Sequence, residues 1–220
     1  MSLDGKSVEN LLDRSDEMHL EILRILEVAQ PYPELRYQAG LTACGMSLEH
    51  AFSLRMLFRC ACYTSAFSLL RLQYEALTRA VWLMYAATNL QVEQLTAPLS
   101  LQAETSASKM PMFSKMLEEV EQKAPPQASR LLSQFKVVNW HAMNSYVHGG
   151  IHPLRRHAEG YPPELIHNVI RSSNGLSMMT LMTGQVLTGD PQGITVVRGM
   201  QEKYQKVLPD LVEQPGASVE

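Results

Sequence analysis

Asn139-Trp140-His141-Ala142-Met143-Asn144-Ser145-Tyr146-Val147-His148-Gly149-Gly150 reads as the closing turns of a helix that two consecutive glycines stop. At about 100° per residue, His141, Asn144, Ser145 and His148 fall on one face of that helix. The face is polar in a chain otherwise rich in leucine and carrying thirteen methionines. A polar stripe on a helix that buries its other faces needs partners on a second helix.

The stretch from about Ala61 to Thr88 supplies a candidate for that second helix. Leu69, Leu70, Leu72, Tyr74, Leu77, Ala80, Val81, Leu83 and Met84 leave little room for a wet side, so the helix is expected at the centre of a bundle. Arg71, Glu75 and Arg79 recur at i, i+4 and i+8 and stack as a ladder along one stripe. On an exposed face such a ladder is worth a few tenths of a kcal/mol per pair. On a helix apolar nearly all round, a charge left alone costs several kcal/mol, and the ladder would face a polar stripe elsewhere. Both readings stand at this point.

The other segments keep the helical period. Val8, Leu11, Leu12, Met18, Ile22, Leu23, Ile25 and Leu26 fit an amphipathic helix from about Ser7 to Ala29, with Ser7 as N-cap and Pro31 and Pro33 forbidding continuation. A second helix runs from near Glu34 to Arg59, with Gly40 and Gly45 at a close helix contact and Glu49, His50 and Arg55 on a solvated face. Pro98 and Pro111 interrupt the region after Asn89, which reads as one imperfect helix over Leu90 to Ala107 and a short one over Met112 to Lys123. There Glu118, Glu119, Glu121 and Lys123 are expected to face solvent. Pro126 opens the helix that ends at Gly149, with Leu131, Leu132, Phe135, Val138, Ala142 and Val147 turned inward. Ile151 to Pro163 reads as a loop with a local basic cluster of His152, Arg155, Arg156 and His157. Helices over Pro163 to Leu187 and Pro191 to Val207 follow. No alternating run demands a sheet. The expected fold class is therefore all-α, a single-domain helical bundle of about seven helices. It is expected to span residues 7–208, after a disordered or tag-derived start at 1–6 and before a flexible tail at 209–220.

Composition narrows the classes. A net charge of -3 and a pI near 6.2 argue against a generally basic nucleic-acid binder, while a local basic strip stays open. Three cysteines, Cys44, Cys60 and Cys62, suit reduced and mostly buried thiols of a cytoplasmic protein, the Cys-x-Cys pair pointing to different sides of a helix. No secretion signal is written at the start. Arg71, Glu75 and Arg79 interrupt the most apolar run, so no membrane span is expected. His141 and His148 lie about 10.5 Å apart along a helix, too far to share one zinc. There is no Glu-x-x-His pair of the two-iron bundle type, no phosphate-cradling glycine loop and no Gly-x-Ser-x-Gly elbow. Neither a cofactor nor a metal is expected on these grounds.

The helix end Asn144-x-x-x-His148-Gly149-Gly150, preceded by a long helix carrying Leu70-Arg71-x-x-x-Glu75-Ala76-x-x-Arg79, resembles the uncharacterised bacterial branch of the HEPN superfamily over roughly Ala61 to Pro153. The resemblance implies an all-α HEPN-like core and a homodimer. It also implies a metal-independent RNase of a toxin or phage-defence module, with RNA as substrate and a cognate antitoxin as partner. The superfamily's usual signature is an arginine, a polar residue such as Asn, and a histidine a few residues on. Asn144 and His148 match it, and Met143 stands where the arginine should be.

On this reading the candidate catalytic set is His148, Asn144, Arg71 and Glu75, with Arg79 and His141 as additional members. His148 would act as general base or acid while RNA is cleaved by its own 2′-hydroxyl. Asn144 would orient His148 or hold a phosphate oxygen, and Arg71 or Arg79 would offset developing charge. His141 would be a second proton-transfer group or a support. Two other classes remain. One is a non-catalytic binding module in which Glu75 bridges Arg71 or Arg79 to His148 and locks two helices together. The other is a metal-dependent helical-bundle enzyme using His141, His148 or His152 with Glu75. His148 also suits a purely structural role at the negative end of the helix dipole.

Overall fold

Prolines and glycines set many of the helix boundaries of this chain, and helical periods fill the stretches between them. The computed structural model describes residues 5–210, and every regular element among them is helical. In chain order these are α1 (Gly5–Glu27), α2 (Leu35–Arg59), α3 (Tyr63–Tyr85), α4 (Asn89–Thr96), α5 (Leu101–Ala107), α6 (Phe113–Lys123), α7 (Pro126–Val147), α8 (Ile151–Glu159), α9 (Pro163–Thr188) and α10 (Gly193–Tyr204). A 3₁₀ turn over Gln205–Val207 follows α10. No helix among the described residues is long and apolar enough to cross a membrane.

The all-α expectation thus holds, with ten α-helices in place of about seven. The span expected as one imperfect helix is two. Pro98 breaks it, and the hydroxyls of Thr88 and Ser100 cap α4 and α5 separately. The expected loop after Gly150 contains α8, whose His152 N–H is accepted by the Ser145 hydroxyl at 3.0 Å. That acceptor is supplied from the previous helix, so the sequence next to α8 carries no ordinary cap signal. α1 starts at Gly5, which puts Ser7 inside its first turn. Residues 1–4 and 211–220 lie outside the described residues. At the near end of the expected tail, Asp210 pairs with Arg171 at 2.7 Å.

α3 is the central element, as its all-round apolar pattern requires. Tyr74, Leu77, Ala80 and Trp82 on it are fully buried. α2 runs antiparallel beside it: Ser47 donates to the Gln73 carbonyl at 3.1 Å, and Phe58 meets Phe67 edge-on at 5.5 Å. The C-terminal carbonyls of α3 have no intrahelical donors, and two cations reach them. Arg36 donates to the Leu83 and Ala87 carbonyls at 3.2 Å, and Lys123 donates to that of Ala86 at 2.9 Å. Lys123 and Glu119, expected to face solvent, therefore hold α6 to α3, since Glu119 accepts the Trp82 indole N–H at 2.8 Å.

α9 crosses α1, α2 and α3 with a buried face that is largely small and polar: Ser173, Asn174, Ser177, Thr180 and Thr183. Gln73 donates to the Ser173 carbonyl at 2.9 Å and accepts from the Ser173 hydroxyl at 2.6 Å. Asn174 donates to Ser15 Oγ at 2.7 Å and to the Val207 carbonyl at 2.9 Å. These bonds make the polar core tolerable, because each buried group left unmade would cost about 1–3 kcal/mol.

Arg55 is 1% exposed, which overturns its expected place on a solvated face. Asp16 of α1 explains the burial, accepting from Arg55 Nε at 2.6 Å while Arg59 reaches Asp13 and Asp16 at 2.8 Å and also pairs with Glu9. This ion network fastens α1 to α2. On α7, Val138 is 73% and Val147 38% exposed although both were expected inside; Leu132, Met143 and Tyr146 occupy the buried stripe.

Candidate functional site

The α3 and α7 helices run antiparallel, so their registers decide which polar groups meet. Ser68 donates to the Tyr146 carbonyl at 3.3 Å, and the Tyr74 hydroxyl donates to that of Leu132 at 2.8 Å. Between these two bonds Arg71 arrives opposite Asn144. Its Nε donates to Glu75 Oε1 at 2.7 Å, one helical turn along α3. Its Nη1 donates to Asn144 Oδ1 at 2.5 Å and lies 3.1 Å from His148 Nε2. A guanidinium has no lone pair to offer, so in this arrangement His148 accepts through Nε2 and carries its proton on Nδ1.

Trp140 forms the floor. The Arg71 guanidinium carbon sits 4.9 Å and Lys136 Nζ 5.6 Å from the ring centre, and Phe113 stacks on the indole at 5.1 Å and 13°. Lys136, Trp140, Asn144 and His148 recur every fourth residue and form one stripe of α7. Arg71 and Glu75 are partly covered, with side chains 16% and 26% exposed, whereas His148 is exposed to solvent.

The helix end presents the imidazole. His148 is the last residue before the turn, Gly149 adopts the left-handed conformation at φ +65°, and Gly150 N–H returns to the Ser145 carbonyl at 2.8 Å. A Cβ on Gly150 would lie 2.6 Å from Ser145 Oγ, so the second glycine is needed for close approach. Ser145, expected on the site face, instead joins α7 to α8.

Arg71, Glu75, Asn144 and His148 are therefore brought together. Arg79 and His141 are not: both are exposed, and neither makes a hydrogen bond or ion pair among the described residues. In the alternative in which Glu75 bridges an arginine to His148, the order differs: Arg71 itself spans the gap, bonding Glu75 on one side and His148 on the other. Met143, where the resemblance noted in the sequence would have put an arginine, is 2% exposed and belongs to the core. Lys136 and Trp140 were missed in the sequence, although their four-residue spacing with Asn144 and His148 was the available signal. Among the described residues no group of three His, Cys, Asp or Glu side chains is placed to hold a metal ion. The open grooves between α1, α9 and α10, lined by Glu21, Ile25 and Val196, share no residue with this cluster.

A family model described as a family of unknown function, DUF6988, matches residues 44–210. The chain belongs to the DUF6988 family. The DUF6988 match takes in α3, α7 and α9 with all four clustered residues, and begins after α1. No curated protein and no solved structure matches the chain.

Proposed function

We propose that this DUF6988 protein is a metal-independent ribonuclease with a HEPN-like core, acting as a homodimer in a toxin or phage-defence module. The single observation that carries the reading is the convergence of Arg71 on both Asn144 and His148 beside a solvent-exposed imidazole. Once the Arg71 guanidinium turns from His148 Nε2 to the phosphate oxygens of an RNA substrate, the released Nε2 lone pair of a neutral imidazole can take the proton of the 2′-hydroxyl, while the guanidinium holds the negative charge that builds. Asn144 fixes the arginine, and Glu75 fixes it from the other side. Lys136, at the Trp140 ring and without an ion-pair partner among the described residues, supplies a second cation for the backbone of the substrate. Val137 and Val138 on α7 and Ile151 and Leu154 on α8 are exposed apolar side chains that a second protomer or an antitoxin would cover.

The test is incubation of the purified protein with RNA in the presence of a chelator. Wild type is expected to cleave, and His148→Ala to lose at least a hundredfold in rate with an unchanged helical circular dichroism spectrum. Undiminished cleavage by His148→Ala would remove the reading. Light scattering is expected to give twice the chain mass.

A second reading has its own support. In the free protein Arg71 already has partners on several sides, Glu75, Asn144, His148 and the Trp140 ring, as in a clamp between two helices. If the clamp is the whole role, Glu75→Ala lowers the melting temperature clearly and no RNA is cleaved.

A further inference from the structure

The Cys-x-Cys segment was expected to be buried within a helix. In the structure Cys60 and Cys62 are exposed and sit in the turn between α2 and α3, while Cys44 is fully buried and its thiol is pushed up to about 12 by burial. The turn is a tight helix stop. Ala61 N–H bonds the Phe58 carbonyl at 3.1 Å and Cys62 N–H bonds that of Leu57 at 2.8 Å. Its middle residue, Ala61, is the one non-glycine residue at positive φ among those described, at +56°. Glycine usually fills this position, because a Cβ in the left-handed region costs about 1–2 kcal/mol.

That conformation matters for the two thiols. A left-handed middle residue folds the chain back about as tightly as a helical one. The flanking Cα atoms then fall within the roughly 4.4–6.8 Å that a disulfide spans, which an extended middle residue would exceed or barely meet. Cys62 Sγ already leans back over the turn, 3.6 Å from the Cys60 carbonyl oxygen. The Cys60 thiol makes no hydrogen bond among the described residues and is open to solvent.

We propose that Cys60 and Cys62 form a redox-active dithiol that closes to an intramolecular disulfide by exchange with a small-molecule disulfide of the glutathione type. The Cys60 thiolate attacks one sulfur of the small disulfide, forming a mixed disulfide and releasing one small thiolate. The Cys62 thiolate then attacks the Cys60 sulfur, forming the 60–62 bond and releasing the second. Two electrons pass from the cysteine pair to the small disulfide, and the two protons lost by the cysteines go to the two released thiols. The site lies at the α2–α3 turn and is independent of the Arg71 cluster.

The experiment uses the intact chain with oxidised glutathione, followed by alkylation of the remaining thiols and peptide mass spectrometry. Wild type is expected to give a peptide lighter by two hydrogens that contains both Cys60 and Cys62, with Cys44 unmodified until the protein is unfolded. Cys62→Ser is expected to stop at a stable glutathione adduct on Cys60, and Cys60→Ser to show slower adduct formation. Titration against defined ratios of reduced to oxidised glutathione is expected to show one reversible transition. Separate adducts on both wild-type cysteines, a disulfide only between chains, or two thiols that stay fully alkylatable would each overturn the proposal.

Discussion

Arg55 and His19 are two buried titratable residues that pack at the α1–α2 contact. Arg55 is 1% exposed, its Nη2 finds no acceptor among the described residues, and Asp16 neutralises it. Removing that carboxylate strands a buried charge, so Asp16→Ala is expected to cost about 3 kcal/mol in urea denaturation. His19 is 5% exposed and stacks on Phe52 at 5.8 Å. Burial pushes its pKa down to about 4; the Arg55 charge adds to this and the Asp16 carboxylate opposes it. The unfolded chain then binds more protons than the folded one between about 4 and 6.5, so this stabilisation is complete above 6.5 and is lost as pH falls toward 4. The loss is up to about 3 kcal/mol at roughly 1.4 kcal/mol per unit. His19→Phe is expected to flatten the stability profile measured between pH 4 and 7. Asp16 does not confuse that window: burial raises it, but hydrogen bonds from Arg55 and Arg59 bring it below the usual carboxylate range.

At the scale of elements, the α7–α8 junction decides where His148 points. Gly150→Ala would place a methyl group 2.6 Å from Ser145 Oγ and displace the hydroxyl that holds the His152 N–H. A loss of about 1–2 kcal/mol is expected by thermal melting, together with weaker RNA cleavage. Gly149→Ala, at φ +65°, is expected to cost about 1 kcal/mol through the backbone alone. Much of this element was readable beforehand: the double glycine marked the stop, and the spacing from Asn144 to His148 marked the face. α8 was not, because its His152 N–H group is satisfied by Ser145 in the preceding helix. The split between α4 and α5 was hidden similarly, since Pro98 permitted a break but only the Ser100 cap shows that a new helix starts.

Over the whole molecule, helical periodicity sufficed for the class because local apolar spacing repeats in nearly every segment. It could not show which helices touch. The Arg71–Glu75 half of the ladder was local and legible, whereas the approach of Asn144 and His148 depends on an antiparallel register fixed by Tyr74 and Ser68. Arg55 was misplaced for the same reason, its partner lying on α1. The polar face of α9 likewise has meaning only beside Gln73 and Ser15.

The central claim is that the cluster cleaves RNA through the substrate's own 2′-hydroxyl with His148 moving the proton. The most direct measurement is the chemistry of the product ends, read by mass spectrometry after digestion of a short RNA and of the same RNA with deoxyribose at the cleaved position. A 2′,3′-cyclic phosphate facing a 5′-hydroxyl, with no cleavage at the deoxyribose, is the result expected. A 3′-hydroxyl facing a 5′-phosphate, or cleavage that ignores the missing 2′-hydroxyl, would contradict it.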